Sequence, residues 1–158
     1  MIELQATITT RQLAERARNA AVALRSCTPE QKTRAIQAMA RGLIEQQARI
    51  LEANARDVAA AKANGMGSAK VDRLTLTEAR LRDMAAGLES VAALPDPIGK
   101  TFSEMTVESG LHVERVRVPL GVILFIYEAR PNTTADAAAI CLKASNAIIL
   151  RGGREAKE

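Results

Sequence analysis

The stretch Val118-Pro-Leu-Gly-Val-Ile-Leu-Phe-Ile-Tyr-Glu-Ala-Arg-Pro-Asn132 decides the fold of this chain. Val122 to Tyr127 is an unbroken run of apolar residues, β-branched and aromatic, bounded by Gly121 and by a polar cluster. Such a run predicts a strand that is buried on both faces, as in a parallel sheet. A second apolar run, Ala147 to Leu150, predicts a second short strand.

The residues between these two runs predict a helix. Its expected N-cap is Asn132 or Thr133, with Asp136 in the first turn, and Ser145-Asn146 is expected to close it. Alanine and leucine recur at helical spacing in between. The order strand, helix, strand is one βαβ unit, so the chain is predicted to be an α/β protein.

Polar clusters follow both predicted strands, at the carboxyl ends where open parallel sheets bind ligands. They are Glu128-Ala-Arg-Pro-Asn132 and Arg151-Gly-Gly-Arg-Glu155. Two glycines after a strand let backbone N–H groups approach an anion, and the arginines add charge against a phosphate. The same glycines equally fit a plain strand-to-helix turn. The usual nucleotide-binding patterns of spaced glycines do not occur.

Composition limits the classes of function. The net charge is +4, but no run of five basic residues occurs and aromatic residues make up only 2%, so nucleic-acid binding is not expected. No apolar run is long enough to cross a membrane. Cys27 and Cys141 are far apart and follow no signal peptide, which predicts a reduced, cytoplasmic protein. His112 is isolated, so no metal site is predicted.

Helical periodicity predicts three helices before residue 100. The first two begin with capping-box spacing, at Thr9–Gln12 and at Thr28–Gln31. The second is expected to continue without a break to about Ala63. The third is expected to be capped at Thr75 or Thr77, and the prolines that follow its apolar stripe end it.

Residues 101–118 alternate with a period of two instead. Apolar residues lie on either side of Ser109-Gly110, a plausible turn, which predicts a β-hairpin. The charged residues of its second half predict an edge or half-exposed strand.

Long motifs of this chain closely resemble those of the gamma-glutamyl phosphate reductase (glutamate-5-semialdehyde dehydrogenase) family, a divergent branch of the aldehyde dehydrogenase superfamily. The resemblance runs from about Thr9 to the end of the chain. Its motifs are Val71-Asp-Arg-Leu-Thr-Leu-Thr77, Ala93-Leu-Pro-Asp-Pro-Ile-Gly99, Pro119-Leu-Gly-Val-Ile123, Tyr127-Glu-Ala-Arg-Pro-Asn132 and Cys141-Leu-Lys-Ala-Ser-Asn-Ala-Ile-Ile-Leu-Arg-Gly-Gly-Arg-Glu-Ala156.

The resemblance implies a partial aldehyde dehydrogenase fold. Residues 1–100 would be the amino-terminal helical part of the cofactor domain, and residues 101–118 a hairpin extension. Residues 119–158 would begin a Rossmann-like, NADP-binding parallel sheet, and the catalytic domain would be absent.

The resemblance also implies a reaction, the NADPH-dependent reduction of L-glutamyl 5-phosphate to L-glutamate 5-semialdehyde plus phosphate in proline biosynthesis. In that family a cysteine thiolate attacks the acyl phosphate, and NADPH reduces the resulting thioester. Glutamate 5-kinase is an implied partner, and the complete protein would be a homo-oligomer.

Residue roles follow from the same resemblance. Asn132 matches the asparagine whose side-chain amide stabilises the oxyanion, although its side chain would also suit an N-cap. Arg151 matches a basic residue that contacts the adenine ribose or its 2′-phosphate, and either Arg154 or Glu155 matches the next ribose contact. The residues implied to bind NADP(H) are Glu128, Ala129, Arg130, Arg151, Gly152, Gly153, Arg154 and Glu155.

The nucleophilic cysteine of the family is expected beyond residue 158. Cys27 lies near a helix end and Cys141 among alanine and leucine, and neither setting is electropositive. The chain is therefore predicted to be the amino-terminal part of the enzyme and inactive by itself. The alternative is a non-catalytic interaction or regulatory fragment of an aldehyde dehydrogenase-like protein. A fused synthase with a preceding kinase is disfavoured because the first helix follows soon after Met1.

Overall fold

Helices precede a β-hairpin and a βαβ unit in the computed structural model, which describes residues 8–128 and 130–156. None of the helices in these ranges is both long and apolar enough to cross a membrane. In chain order the elements are α1 (Thr10–Leu24), α2 (Pro29–Glu45), α3 (Gln47–Ala63), α4 (Ser68–Leu74), α5 (Glu78–Ala93), β1 (Thr101–Thr106), β2 (His112–Val116), β3 (Val122–Ile126), α6 (Pro131–Lys143) and β4 (Ala147–Arg151).

The predicted βαβ unit is confirmed. Strands β3 and β4 pair in parallel, with Val122 opposite Ala147 and Ile126 opposite Arg151. Helix α6 connects them, as a parallel pair requires. The pairing continues one residue past β3, where the Tyr127 N–H donates to the Arg151 carbonyl at 3.1 Å.

The predicted hairpin is confirmed as well. Strands β1 and β2 are antiparallel, with Thr106 opposite His112, and a register shift lies between Thr101 and Ser103. Gly110 has a φ of +83°, a conformation that glycine adopts without steric cost and that the turn requires.

Strand β3 is not buried on both faces as predicted. Leu124 is 60% and Ile126 66% exposed, and only Ile123 within β3 is half-buried. Strand β4 is covered instead, because Ala147 and Ile149 share one of its faces and pack against α1. Strand β3 has a single paired edge, and the described residues place little over its faces.

Local capping signals are confirmed at the start of three helices. The N–H of Gln12 donates to Thr9 Oγ1 at 3.2 Å, and Gln12 Oε1 accepts from the Thr9 N–H at 2.9 Å. Thr28 and Gln31 form the same reciprocal pair before α2. Of the two caps expected for the helix after residue 75, Thr77 is the one used, at the start of α5.

The single long helix predicted from residue 28 to about 63 is wrong. Gln46 has φ −100° and ψ 15° and separates α2 from α3. The two helices have different neighbours: α2 packs on α5 and α6, whereas α3 holds the connection that leads into α5. Asn54 of α3 makes that attachment, since its Nδ2 donates to the Leu74 carbonyl at 2.8 Å and its Oδ1 accepts from the Leu76 N–H at 2.7 Å. Helix α4, which this connection includes, was not predicted.

The main hydrophobic core lies where α2, α5 and α6 meet. Ile36 of α2 and Leu88 of α5 are fully buried there. Small residues from all three helices let the backbones approach, and they are Ala40, Ala85, Ala92 and Ala139.

Two lysines are buried beside this core. Lys32 forms an ion pair with Asp96 and donates to Ser145 Oγ at 2.9 Å. Lys143 donates to the Ala92 carbonyl at 2.8 Å and to Thr33 Oγ1 at 3.1 Å. These contacts connect α2, the end of α5 and the end of α6. They therefore set the position of α6, the helix of the βαβ unit, relative to the other two helices.

The end of α6 sets the start of both parallel strands. Ser145 has a φ of +55°, and the Asn146 N–H donates to the Cys141 carbonyl at 2.8 Å, which closes the helix as a Schellman motif. Asn146 is buried, and its Oδ1 accepts from the Gly121 N–H at 2.8 Å. One side chain therefore links the residue before β3 to the residue before β4.

Candidate functional site

The carboxyl ends of β3 and β4 lie side by side at one edge of the sheet. Because Ile126 is opposite Arg151, Tyr127-Glu128 and Gly152-Gly153 leave the sheet together. This is the edge at which open parallel sheets bind their ligands. Arg151 and Glu128 are exposed there.

Helix α6 starts at this edge, but two or three residues earlier than predicted. Arg130 is its N-cap, without a side-chain capping bond, and Pro131 is its first residue. The expected caps Asn132 and Thr133 are therefore wrong, and Asp136 lies beyond the first turn. The reason is Pro131: it restrains the preceding residue to an extended backbone, seen as φ −135° and ψ 99° at Arg130, and its own φ suits a helix start.

This start leaves the Asn132 side chain out of the capping role. Asn132 is exposed, and its Nδ2 lies 3.3 Å from Asp136 Oδ2, one helical turn further on. An amide nitrogen has two N–H groups, so the bond to Asp136 orients the side chain while the second N–H stays available to an acceptor.

A contact that the sequence did not predict connects the end of β3 to α6. The hydroxyl groups of Tyr127 and Thr134 are hydrogen-bonded at 2.5 Å. Gly152 lies beneath them, since a Cβ at that position would lie 3.4 Å from the Tyr127 hydroxyl oxygen. A glycine directly after the second strand was the available signal, because it marks a close approach of another group to the backbone.

The remaining residues of the second polar cluster form a turn. Gly153 lies directly under the Glu155 carboxylate, where a Cβ would collide with it. Arg154 is exposed and Glu155 is half-buried. Ala129, the other predicted cofactor residue, lies outside the described residues.

Four of the predicted site residues line two separate clefts. Arg154 and Glu155 line a cleft of about 940 Å³ together with the turn between α3 and α4. Arg130 and Asn132 line a second cleft of about 550 Å³, between α4–α5 and the start of α6. The candidates for the second ribose contact, Arg154 and Glu155, thus line one cleft and the predicted oxyanion residue Asn132 lines the other, whereas Arg151 lines neither.

Neither cysteine is placed as a nucleophile. Cys141 is 7% exposed, and burial raises the pKa of its thiol above the ordinary value. Cys27 is half-buried just after α1, and its Sγ lies 3.8 Å from the Ala23 carbonyl oxygen. A reactive thiol needs accessibility and a lowered pKa, and Cys141 has neither.

We expect a thiol reagent such as Ellman's reagent to modify Cys27 of the native chain and to reach Cys141 about tenfold more slowly or only on unfolding. The release of chromophore by the C27S and C141S variants separates the two rates. Similar rates in the folded chain would contradict the buried position of Cys141.

Comparison with curated proteins finds relatives that share one name. The chain is 58% identical over 142 residues to "Gamma-glutamyl phosphate reductase" of Moorella thermoacetica, a match that covers 90% of the chain and 34% of the relative. It is 57% identical over 139 residues to the protein of the same name from Caulobacter vibrioides, covering 88% of the chain and 34% of the relative. The chain thus spans about a third of the length of the curated relatives it matches. No protein-family model matches the chain.

Solved structures agree with this result. The gamma-glutamyl phosphate reductase of Thermotoga maritima matches 90% of the chain and 34% of its own length, with a TM-score of 0.85 and 42% identity. The enzyme from Saccharomyces cerevisiae matches 94% of the chain and 38% of its own length, with a TM-score of 0.87 and 33% identity. The matched region is the amino-terminal part of these proteins.

Proposed function

We propose that this chain, which belongs to the gamma-glutamyl phosphate reductase family and corresponds to its amino-terminal part, forms the coenzyme side of such an enzyme. The reaction in this proposal is the NADPH-dependent reduction of L-glutamyl 5-phosphate to L-glutamate 5-semialdehyde and phosphate, in proline biosynthesis. The division into a helical part (1–100), a hairpin extension (101–118) and the start of the coenzyme sheet (119–158) belongs to the same proposal.

The observation that carries the proposal is the shared edge at which β3 and β4 end. Backbone N–H groups and exposed Arg151 lie at that edge, and Gly152 and Gly153 carry no side chain of their own, so among the described residues only the Tyr127 hydroxyl and the movable Glu155 carboxylate lie over them. This donor set suits the phosphates of a dinucleotide, and an arginine beside the ribose favours NADP(H) over NAD(H). When bound, NADPH supplies the hydride of the reaction.

Asn132 is proposed to stabilise the negative charge that develops on the acyl oxygen. Its amide is exposed in the first turn of α6 and is oriented by Asp136, so a donor is available without rearrangement. Glu128, Ala129 and Arg130 are proposed to line the coenzyme between this amide and Arg151.

The nucleophile in this proposal comes from outside these 158 residues, because Cys141 is buried and Cys27 lies at the end of α1, apart from the sheet edge. A cytoplasmic homo-oligomer is proposed for the complete protein, supported by the exposed apolar residues Phe102, Met105 and Leu111 of the hairpin region. Glutamate 5-kinase is the proposed partner, since it would supply the acyl phosphate.

We expect Arg151→Met to weaken NADPH binding about tenfold and to change NADH binding less than about twofold, because only NADPH carries the 2′-phosphate. Fluorescence titration of the 158-residue chain with each coenzyme measures both constants. Arg115→Met is the matched control, since Arg115 is an exposed arginine on the hairpin.

Absence of NADPH binding by the unmodified chain would refute the coenzyme role. Equal losses for NADPH and NADH would refute the assignment of Arg151 to the 2′-phosphate and leave the sheet edge as the binding site.

A further inference from the structure

The cleft of about 550 Å³ has one wall made by α4 and α5 and another made by the start of α6. Arg80, Asp83, Met84 and Gly87 of α5 line it at a spacing of one helical turn, so they form one face of that helix. Asn132 lies on the α6 side. A ligand in this cleft would therefore contact both the α5 face and the proposed oxyanion residue.

Part of the α4–α5 wall is rigidly held. Arg80 donates to Asp72 Oδ1 at 2.9 Å and to the carbonyl oxygens of Asp72 and Thr75 at 2.5 and 2.7 Å. These three acceptors take three of the five N–H groups of the guanidinium, so Arg80 is held by groups of the wall itself. Its contribution is to fix the end of α4 against α5, and so to fix the position of the neighbouring Arg73.

Arg73 and Asp83 are the groups of this wall that remain available. Both are exposed and line the cleft, and within the described ranges neither side chain forms a hydrogen bond or an ion pair, including with the other. An unpaired cation and an unpaired anion in one cleft suit a ligand that carries both charges.

The overall charge of the lining supports the same class of ligand. It contains three arginines, at positions 73, 80 and 130, and three aspartates, at positions 72, 83 and 136. This balance disfavours a polyanion such as a dinucleotide, for which a basic surface would be expected. A zwitterion entering such a cleft exchanges part of its hydration for a partner of opposite sign at each of its charges.

We propose that this cleft binds the amino-acid end of the substrate, with Arg73 pairing with the α-carboxylate and Asp83 with the α-ammonium group. The acyl group then lies toward Asn132. This inference rests on the proposed function, because the substrate of that reaction is an acyl phosphate with a free α-amino and α-carboxyl group. Arg73 and Asp83 are specificity-determining residues in this arrangement.

The test uses three stable phosphonate analogues of L-glutamyl 5-phosphate: the complete analogue, one without the α-carboxylate and one without the α-amino group. Calorimetric titration of the 158-residue chain gives each dissociation constant. We expect Arg73→Met to weaken binding of the complete analogue about tenfold. The dissociation constant of the analogue without the α-carboxylate should change by less than about twofold. Asp83→Asn should weaken the complete analogue and leave the analogue without the amino group unchanged.

Arg82→Met and Glu89→Gln are the matched controls, because both side chains are exposed on α5 and line neither this cleft nor its rim. Circular dichroism establishes that each variant is folded. The inference is overturned if the complete analogue does not bind the unmodified chain. It is also overturned if either substitution, Arg73→Met or Asp83→Asn, weakens the binding of all three analogues equally. NADPH binding in that case leaves the coenzyme role standing, whereas analogue binding without NADPH binding refutes the coenzyme role and supports the cleft.

Discussion

Replacing Asp96 by asparagine is expected to lower the free energy of unfolding by about 3 kcal/mol, because it leaves buried lysines without a counter-charge. The side chains of Lys32 and Asp96 are 3% and 9% exposed. Lys143 is buried nearby and its charge also acts on Asp96. Removing one member of a buried pair costs more than the pair itself contributes, since the remaining ammonium group cannot recover its hydration.

Urea unfolding followed by circular dichroism measures this loss, with Glu89→Gln as the control for removing an exposed carboxylate from the same region.

The destabilisation by Asp96→Asn should depend on pH. Burial raises the pKa of Asp96, but hydrogen bonds from Lys32 and from the Ile98 N–H, with the charges of both lysines, outweigh burial and lower the pKa below its ordinary value. The stabilisation is therefore present above the unfolded pKa of about 3.9 and is lost as the pH falls through the folded pKa.

The difference between the unmodified chain and the Asn variant should accordingly shrink as the pH is lowered below about 4. A difference that stays constant into the acid range would contradict the charge-based explanation. A loss below about 0.5 kcal/mol at neutral pH would show that the lysines are solvated.

Replacing Leu88 by alanine is expected to cost about 3 kcal/mol for a different reason, the loss of apolar contacts and the cavity left behind. Leu88 of α5 is fully buried where α5 meets α2 and α6, and packing against these two helices limits how far the space can close. Because α6 is one of these three helices and Asn132 lies in its first turn, we expect the same variant to loosen the orientation of Asn132.

The matched control is Leu94→Ala, which makes the same chemical change at the exposed end of α5, where the side chain is 55% exposed. Urea unfolding should give a difference of less than about 0.5 kcal/mol for this control. Equal costs at both positions would contradict the proposed location of the core.

The hydrophobic core and the lysine contacts together position α6, and through it the candidate site. Lys32 and Lys143 connect the start of α2 and the end of α5 to the end of α6, and the other end of that helix carries Asn132. The candidate site is thus built on a helix that is held at its far end and along its length. A site on such a support keeps its geometry better than one on loops.

Part of the site was accessible to sequence reasoning. The apolar runs and the glycine pair located both strand ends, since β-branched apolar runs and turn residues are strong local patterns. The expected cap of α6 was wrong because Pro131 dictates the helix start more strongly than the polar residues after it. The cleft charges Arg73 and Asp83 were not found, because α4 and α5 bring them to Asn132 across about fifty residues of sequence.

The buried lysines show the same limit. Lys32 is four residues before Ile36 and Lys143 four residues after Ala139, so both lie on the apolar faces of their helices. That spacing was a usable signal, but a lysine at such a position is ordinarily exposed. The burial of Lys32 is favourable because Asp96 and the Ser145 hydroxyl, which come from distant parts of the sequence, lie within bonding distance of its ammonium group.

By itself the sequence determined the starts of α1 and α2, the hairpin and the βαβ unit, and it limited the cap of α5 to Thr75 or Thr77, because caps, turns and periodicity are interactions among near neighbours. The tertiary structure decided the bend at Gln46, the exposure of β3 and the pairing of Lys32 with Asp96. Each of these depends on which distant element covers a surface or supplies a charge, and that information is carried by packing rather than by any single stretch of residues.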